Sequence, residues 1–314
     1  MNRASVPPRA ATDHARAGLA FGLLAYGLWG VLPIYFKQLA RVPAVDIVAH
    51  RIVWSLLFLL ALLGATRGWS QVRDGIRDRR TVLLLLTTSV LIAINWLLYV
   101  YAVTSGHILA GSLGYYLNPL MNIVLGRFIL KERLTGLQWA AVAIAAAGVS
   151  VLAAGAGTTL WISLTLCVTF STYGLLRKIA KVDAIAGLSI ETAILFPIAV
   201  GWLALGAAAG QPVLGANATE AWLLGLAGIV STTPLLLFTA AARRLRYSTL
   251  GMLQFVAPTL QFLLAVALYE EAFTTAHAIA FGAIWIALVL YTTSLVRDLR
   301  AQRRAVAAPD LCES

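Results

Sequence analysis

Leu117–Thr135 reads LNPLMNIVLGRFILKERLT, and Val256–Thr274 reads VAPTLQFLLAVALYEEAFT. At an offset of 139 residues, Pro119 falls on Pro258, Leu125 on Leu264, Glu132 on Glu271 and Thr135 on Thr274, with Asn122 opposite Gln261. Upstream, AYGL (25–28) resembles TYGL (172–175) at an offset of 147, and His50–Arg51 falls near Glu191–Thr192 at an offset of 141. The offset shrinks along the chain as it would if the loop 65–80 were an insertion in the first copy. The chain therefore reads as a duplication, and its architecture depends on how often each copy crosses its solvent.

That solvent is lipid. AVILMFWYC make up 60% of the residues and DEKR only 12%, against roughly 45–50% apolar, glycine included, in soluble domains. Mean hydropathy is +0.84. Several runs reach about 20 apolar residues, the length that crosses a hydrocarbon core. The first, Gly18 to Phe36, exceeds the ~7–15 residues of a signal-peptide core and lacks an A-x-A site, so it reads as a retained span. The two cysteines, Cys167 in a span and Cys312 in the tail, suggest no disulfide framework. No Cys/His spacing suggests a metal, and no cofactor is expected.

Apolar runs and polar punctuation predict ten spans, at about 17–37, 44–64, 81–102, 107–129, 135–155, 158–177, 186–208, 219–241, 248–269 and 275–296. Of the 24 Lys and Arg, 21 then fall on one side, in the segments 1–16, 65–80, 127–133, 177–181, 243–246 and 297–304. Lys37 and Arg41 fall on the other, and Arg51 lies within a span. Basic residues accumulate on the cytoplasmic side, which places both termini there. The net charge of +11 is thus mostly topology and does not point to nucleic acid. The expected organisation is a tail (1–16), a first five-helix repeat (17–155), a second (158–297) and a basic tail (298–314). Five is odd, so the second repeat enters from the opposite face, giving the inverted arrangement of many secondary transporters.

Charged residues inside a span cost ~2.5–3.5 kcal/mol on insertion scales, so they face protein or a wet cavity. On the second span, Asp46, His50 and Trp54 share a face at i, i+4, i+8, while Arg51 lies about 100° round from His50. Glu191 is the only carboxylate well inside a run. Arg51 is a candidate for holding a substrate carboxylate or phosphate through its planar fork; packing or snorkelling is its bland alternative. Glu191, His50 and Asp46 are candidates for cation coupling, with Glu191 also a gate or a helix cap. No direct Arg51–Glu191 pair is expected, because their depths differ.

The fourth span carries Gly111, Gly114, Tyr115, Asn118 and Asn122 on one face, and the ninth carries Gln254, Pro258 and Gln261. These amides are either interhelical ties or part of a cavity wall with Asn95, Trp96, Tyr115 and Tyr116. The loop 67–80 reads as a cationic interfacial stretch, and Lys131-Glu132-Arg133 as a solvated cluster.

AYGLWGVLPIYFK (25–37), DIVAHRIVWSLLF (46–58), SLGYYLNPLMNIVLG (112–126) with KERLT (131–135), and STTPLLLFTAAARRLRYSTLGMLQFVAPTLQFLLA (231–265) together resemble a RarD-type member of the EamA family of drug/metabolite transporters, over nearly the whole chain. The resemblance implies a ten-helix bacterial inner-membrane carrier with a central cavity between two EamA-type repeats. The family label is associated with chloramphenicol sensitivity, and relatives export amino acids and other small metabolites. The expected function is a secondary transporter, an exporter or permease of small metabolites or drugs working by alternating access, with protons as a possible coupling ion. The alternatives are an enzyme acting on a lipid or lipid-linked substrate, or a channel. An enzyme is disfavoured: no H-E-x-x-H, no paired intramembrane aspartates and no phosphate-cradling loop occur.

Overall fold

A backbone in hydrocarbon has no water to satisfy its amides, so it must close its hydrogen bonds within each segment. The computed structural model, which describes residues 8–39, 41–104, 108–154, 160–269 and 275–307, is accordingly helical throughout, with no strand among the described residues. In order the helices are α1 (Pro8–Gln38), α2 (Ala44–Thr66), α3 (Trp69–Arg77), α4 (Arg79–Thr104), α5 (Ile108–Phe128), α6 (Gly136–Ala153), α7 (Leu160–Ile179), α8 (Ala184–Ala208), α9 (Ala218–Arg244), α10 (Tyr247–Gln254), α11 (Val256–Tyr269) and α12 (Thr275–Ala307). Seven are long and apolar enough to cross a membrane. The described residues make an all-α, multi-pass membrane protein.

Among the described residues a helix occupies each of the ten expected segments, and two details go beyond the sequence reading. The basic loop contains a helix of its own, α3. Trp69, Val72 and Ile76 recur at helical spacing there, and Trp69 and Ile76 are exposed. The buried Gly75 leaves so little room that a Cβ would press on Val182 and Ile190. The ninth segment is broken into α10 and α11 at Phe255. Pro258 cannot donate to the Gln254 carbonyl, and its ring crowds that carbonyl.

Polar residues start three of the helices, α8, α9 and α4. The Asp183 side chain accepts from the Ala186 amide at 2.7 Å, and Asn217 accepts from that of Glu220 at 2.9 Å. Asp78 accepts from the Thr81 hydroxyl at 2.6 Å, which holds its carboxyl below the usual range. The first two contacts satisfy amides that the first helical turn leaves unpaired.

The main packings obey an exchange rule. Let α1, α2, α4, α5 and α6 correspond to α7, α8, α9, α10–α11 and α12. Then α1 on α9 matches α7 on α4, α2 on α9 matches α8 on α4, and α5 on α7 matches α11 on α1. The pairs α2·α8, α5·α10 and α6·α12 map onto themselves. An aromatic core joins the halves: Phe238 of α9 meets Tyr26 of α1 at 6.2 Å and Phe170 of α7 at 5.5 Å between ring centroids. Large apolar side chains such as Trp222 and Ile198 stand outward, 75% and 72% exposed. Arg177, by contrast, is wholly buried. This is the inside-out distribution of a molecule whose outer solvent is lipid.

Candidate functional site

A cavity of about 440 Å³ lies among α2, α4, α7, α8 and α9. Arg51 and Ser55 come from α2, Trp96 from α4, Tyr173 from α7, and Glu191 and Thr192 from α8. Most of the remaining wall is aliphatic, Val48, Ile52, Ile92 and Leu195 among it. Both halves of the chain contribute.

Glu191 is the acidic group of this wall. Arg177 Nη1 stands 3.5 Å from Glu191 Oε1, with both side chains buried. Thr88 Oγ1 donates to the same oxygen, and the Tyr173 hydroxyl donates to Oε2 at 3.4 Å. The carboxylate thus gathers contacts from α4 and α7. Arg177 also donates from Nη2 to the Ala184 carbonyl at 3.3 Å, which ties the end of α7 to the start of α8. Gly187, one turn before Glu191, makes room for this guanidinium, because a Cβ there would overlap it. Nearby, Lys178 Nζ donates to the carbonyls of Ala242 and Leu245, and Arg243 donates to that of Val182. Lys178 thus occupies carbonyls at the C-terminus of α9, where positive charge is favoured, and Arg243 holds the connection between α7 and α8.

Arg51 is 8% exposed, and its guanidinium carbon lies 3.5 Å from the centroid of the Trp96 ring. Its Nη1 is buried and finds no acceptor among the described residues; the same is true of Trp96 Nε1. Arg51 and Glu191 share the cavity, yet the ion pair of Glu191 is with Arg177.

The other expected site residues are placed as follows. His50 is buried and its Nε2 donates to the Val213 carbonyl at 2.5 Å, so it faces the connection between α8 and α9. Asp46 accepts from Trp202 Nε1 at 2.9 Å. The backbone of Trp54 lies against Gly228, where a Cβ on the glycine would overlap it. None of these three lines the cavity; Trp202 does. Asn95 donates to the Leu166 carbonyl at 3.0 Å and to Thr169 Oγ1 at 2.9 Å, tying α4 to α7. The Tyr115 hydroxyl donates to Asn95 Oδ1 at 3.4 Å.

At the crossing of α5 and α10, Asn122 Nδ2 donates to Gln254 Oε1 at 2.9 Å. The Asn118 nitrogen faces the carbonyls of Gly114 and Cys167, and its oxygen accepts from Gln254 Nε2 at 3.1 Å. These amides therefore act as interhelical ties. Tyr116 packs edge-on against Phe281 at 5.6 Å. Gln261 belongs to α11, but its side chain lies outside the described residues, as does Glu271.

Some functional neighbours are absent from the sequence reading. Arg177 was read there as a marker of the basic side, whereas it is the buried partner of Glu191. Its signal is the spacing of Tyr173 with Arg177 and of Gly187 with Glu191, each four residues apart and so on one helix face. Glu132 is not simply solvated either. Its Oε2 accepts from the Ser248 amide at 3.0 Å and from the Ser248 hydroxyl at 2.6 Å, and its Oε1 accepts from the Tyr247 amide at 2.5 Å. A residue of the first half thereby caps α10 of the second.

Comparison with known proteins agrees with this architecture. Residues 16–154 match the family described as "EamA-like transporter family". An "Uncharacterized transporter" of Vibrio cholerae serotype O1 is 43% identical over 300 residues, covering 93% of this chain and 97% of that one. "Protein RarD" of Escherichia coli K12 is 43% identical over 288 residues, covering 91% and 97%. "Chloramphenicol-sensitive protein RarD" of Pseudomonas aeruginosa is 32% identical over 295 residues, covering 91% and 97%. A crystal structure superposes with a TM-score of 0.70 at 22% identity, over 88% of this chain and 98% of the other, and shares the fold. With an apolar helical body, a cavity walled by both halves, and identity over nearly its full length, the chain belongs to the EamA-like transporter family as a RarD-type member.

Proposed function

We propose that the protein is a secondary carrier that moves small metabolites or drugs across the bacterial inner membrane by alternating access, with export as its physiological direction. The observation that carries this reading is the cavity walled by both halves, with the Arg177–Glu191 pair built on one of its lining residues. Ten spans in two inverted repeats, 17–155 and 158–297, account for the exchange rule among the packings. The family match over 16–154 supports the same division, since it covers one five-helix unit. With both termini cytoplasmic, the start of α2 and the end of α8 face outward. Val45 and Trp202 then stand at the outer mouth, and Arg177 closes the inner end.

Alternating access requires that inner closure to open. Glu191 is the coupling candidate, because separation from Arg177 leaves its charge uncompensated and makes uptake of a proton favourable. His50 and Asp46 are weaker candidates, since each is engaged away from the cavity. A chain that binds a solute in a shared cavity and releases it on either side acts as a carrier, not as an enzyme.

The test is entrance counterflow in proteoliposomes, screened over pools of amino acids, organic acids, sugars, phosphorylated metabolites and aromatic antibiotics. Saturable exchange that accelerates with solute on the far side supports the carrier. A non-saturating conductance, or no protein-dependent flux with any pool, refutes it. For coupling, Glu191→Gln is expected to abolish the pH dependence of exchange, and an unchanged pH profile removes that role.

A further inference from the structure

Resting on the carrier reading, we propose that the cavity selects organic monoanions: one carboxylate, sulfonate or phosphonate head on an apolar body of aromatic size, with no ammonium beside the head.

The argument is a balance of charges and donors. Two charged residues, Arg51 and Glu191, stand among the described lining residues. Glu191 is already matched by Arg177 and accepts from Thr88 and Tyr173. Arg51 is unmatched: it is more than nine-tenths buried, forms no ion pair and no hydrogen bond among the described residues, and leaves Nη1 without an acceptor. Trp96, stacked on it, leaves a second buried donor, Nε1, in the same condition. The cavity wall thus carries one positive charge without a counterion, on residues that hold two donors without acceptors. A buried cation without a counterion is unfavourable, and a carboxylate meets a guanidinium fork through two parallel hydrogen bonds.

The body of the solute follows from the walls. Val48, Ile52, Ile92 and Leu195 surround the cavity, and Trp96 and Trp202 add aromatic surface. A volume of about 440 Å³ lies in the usual range for small-ligand pockets.

The absence of an ammonium group follows from the acceptors. An ammonium next to the head would need a free carboxylate close to Arg51. Glu191 is engaged, and Asp46 lies five residues earlier on α2, ~7.5 Å along the axis at 1.5 Å per residue, where it holds Trp202. The adjacent charges of an α-amino acid cannot span from Arg51 to Asp46.

The experiment measures binding, so that it stands apart from the flux assay. The purified full-length chain in detergent at pH 7.5 is titrated with 3-phenylpropanoate, phenylalanine, 2-phenylethylamine and 3-phenylpropanamide, which share one ring and differ in charge. Thermal shift and tryptophan fluorescence report binding. The anion is expected to bind at least about tenfold more tightly than the other three, the scale of one hydrogen-bonded charge. Arg51→Gln is expected to bring the anion to the level of the amide. Arg51→Lys is expected to keep anion preference at lower affinity, and it serves as the second variant if Arg51→Gln does not fold. The proposal is overturned if the amide, the amine or phenylalanine binds as tightly as the anion, if none of the four binds, or if Arg51→Gln keeps the preference. The carrier reading falls only on the proteoliposome result, so the two failures are distinguishable.

Discussion

Arg177 and Glu191 approach to 3.5 Å with their side chains 0% and 4% exposed, one in the last turn of α7 and the other in the first third of α8. Removing one member of such a pair strands the other charge in a dry interior and costs about 3–5 kcal/mol, whereas removing both costs less than the sum. Arg177→Gln and Glu191→Gln should each lower the unfolding midpoint in detergent, and the double variant should lie above the additive value. Strict additivity would show that the two side chains do not interact.

Two glycines separate close approach to a side chain from close approach to a backbone. Gly228→Ala would drive a methyl group into the Trp54–Ser55 peptide, which cannot retreat. Overpacking of this kind costs about 1–3 kcal/mol or more. Gly187→Ala meets the tip of Arg177, which can swing away, but only by leaving Glu191. Adding Arg177→Gln to Gly187→Ala should therefore change the midpoint little, while adding it to Gly228→Ala should give the full loss. Equal losses on both backgrounds would contradict this account.

Glu132 accepts two backbone amides and a hydroxyl at the start of α10. Capping contacts of this type are worth about 0.5–2 kcal/mol. Glu132→Ala should lose most of that, and Glu132→Gln less, because it keeps one acceptor oxygen. Ser248→Ala should lose least, since both amides remain capped. A different rank order of melting temperatures would place the effect elsewhere.

The proposed topology makes a labelling prediction. Cys167 is buried and should resist a membrane-impermeant maleimide. Cys312, in the basic tail, and a Ser70→Cys variant should react only from the cytoplasmic side. Gln211→Cys should react in intact spheroplasts. Labelling of Cys312 from outside would invert or break the ten-span arrangement.

The spans were legible because hydrocarbon sets a minimum length for each and charge cannot hide within them. Arg51 and Glu191 stood out for the same reason, as isolated charges in apolar runs, and both line the cavity. Arg177 was not legible: a basic residue near a span end is ordinary, and only the fold turns it inward. Thr88 was equally silent, because a helical threonine can always bond its own backbone, as it also does here with the Leu85 carbonyl at 2.9 Å. The Asp46–His50 face could be read from periodicity, but what lay opposite it could not. The carbonyl that meets His50 belongs to Val213, 163 positions away. Pro258 carried the information for the break at Phe255, although prolines 119, 197 and 234 sit inside continuous helices. Proline permits a break; packing decides whether one occurs.

Where α2 meets α9, the missing side chain of Gly228 lets two main chains from opposite halves of the molecule touch. Translation of either helix along the other would jam Trp54 against the residues flanking that glycine. In the carrier proposed above, the smallest residue in the seam would be the point about which the two helices tilt, and the leverage of a rocking motion would be measured from it.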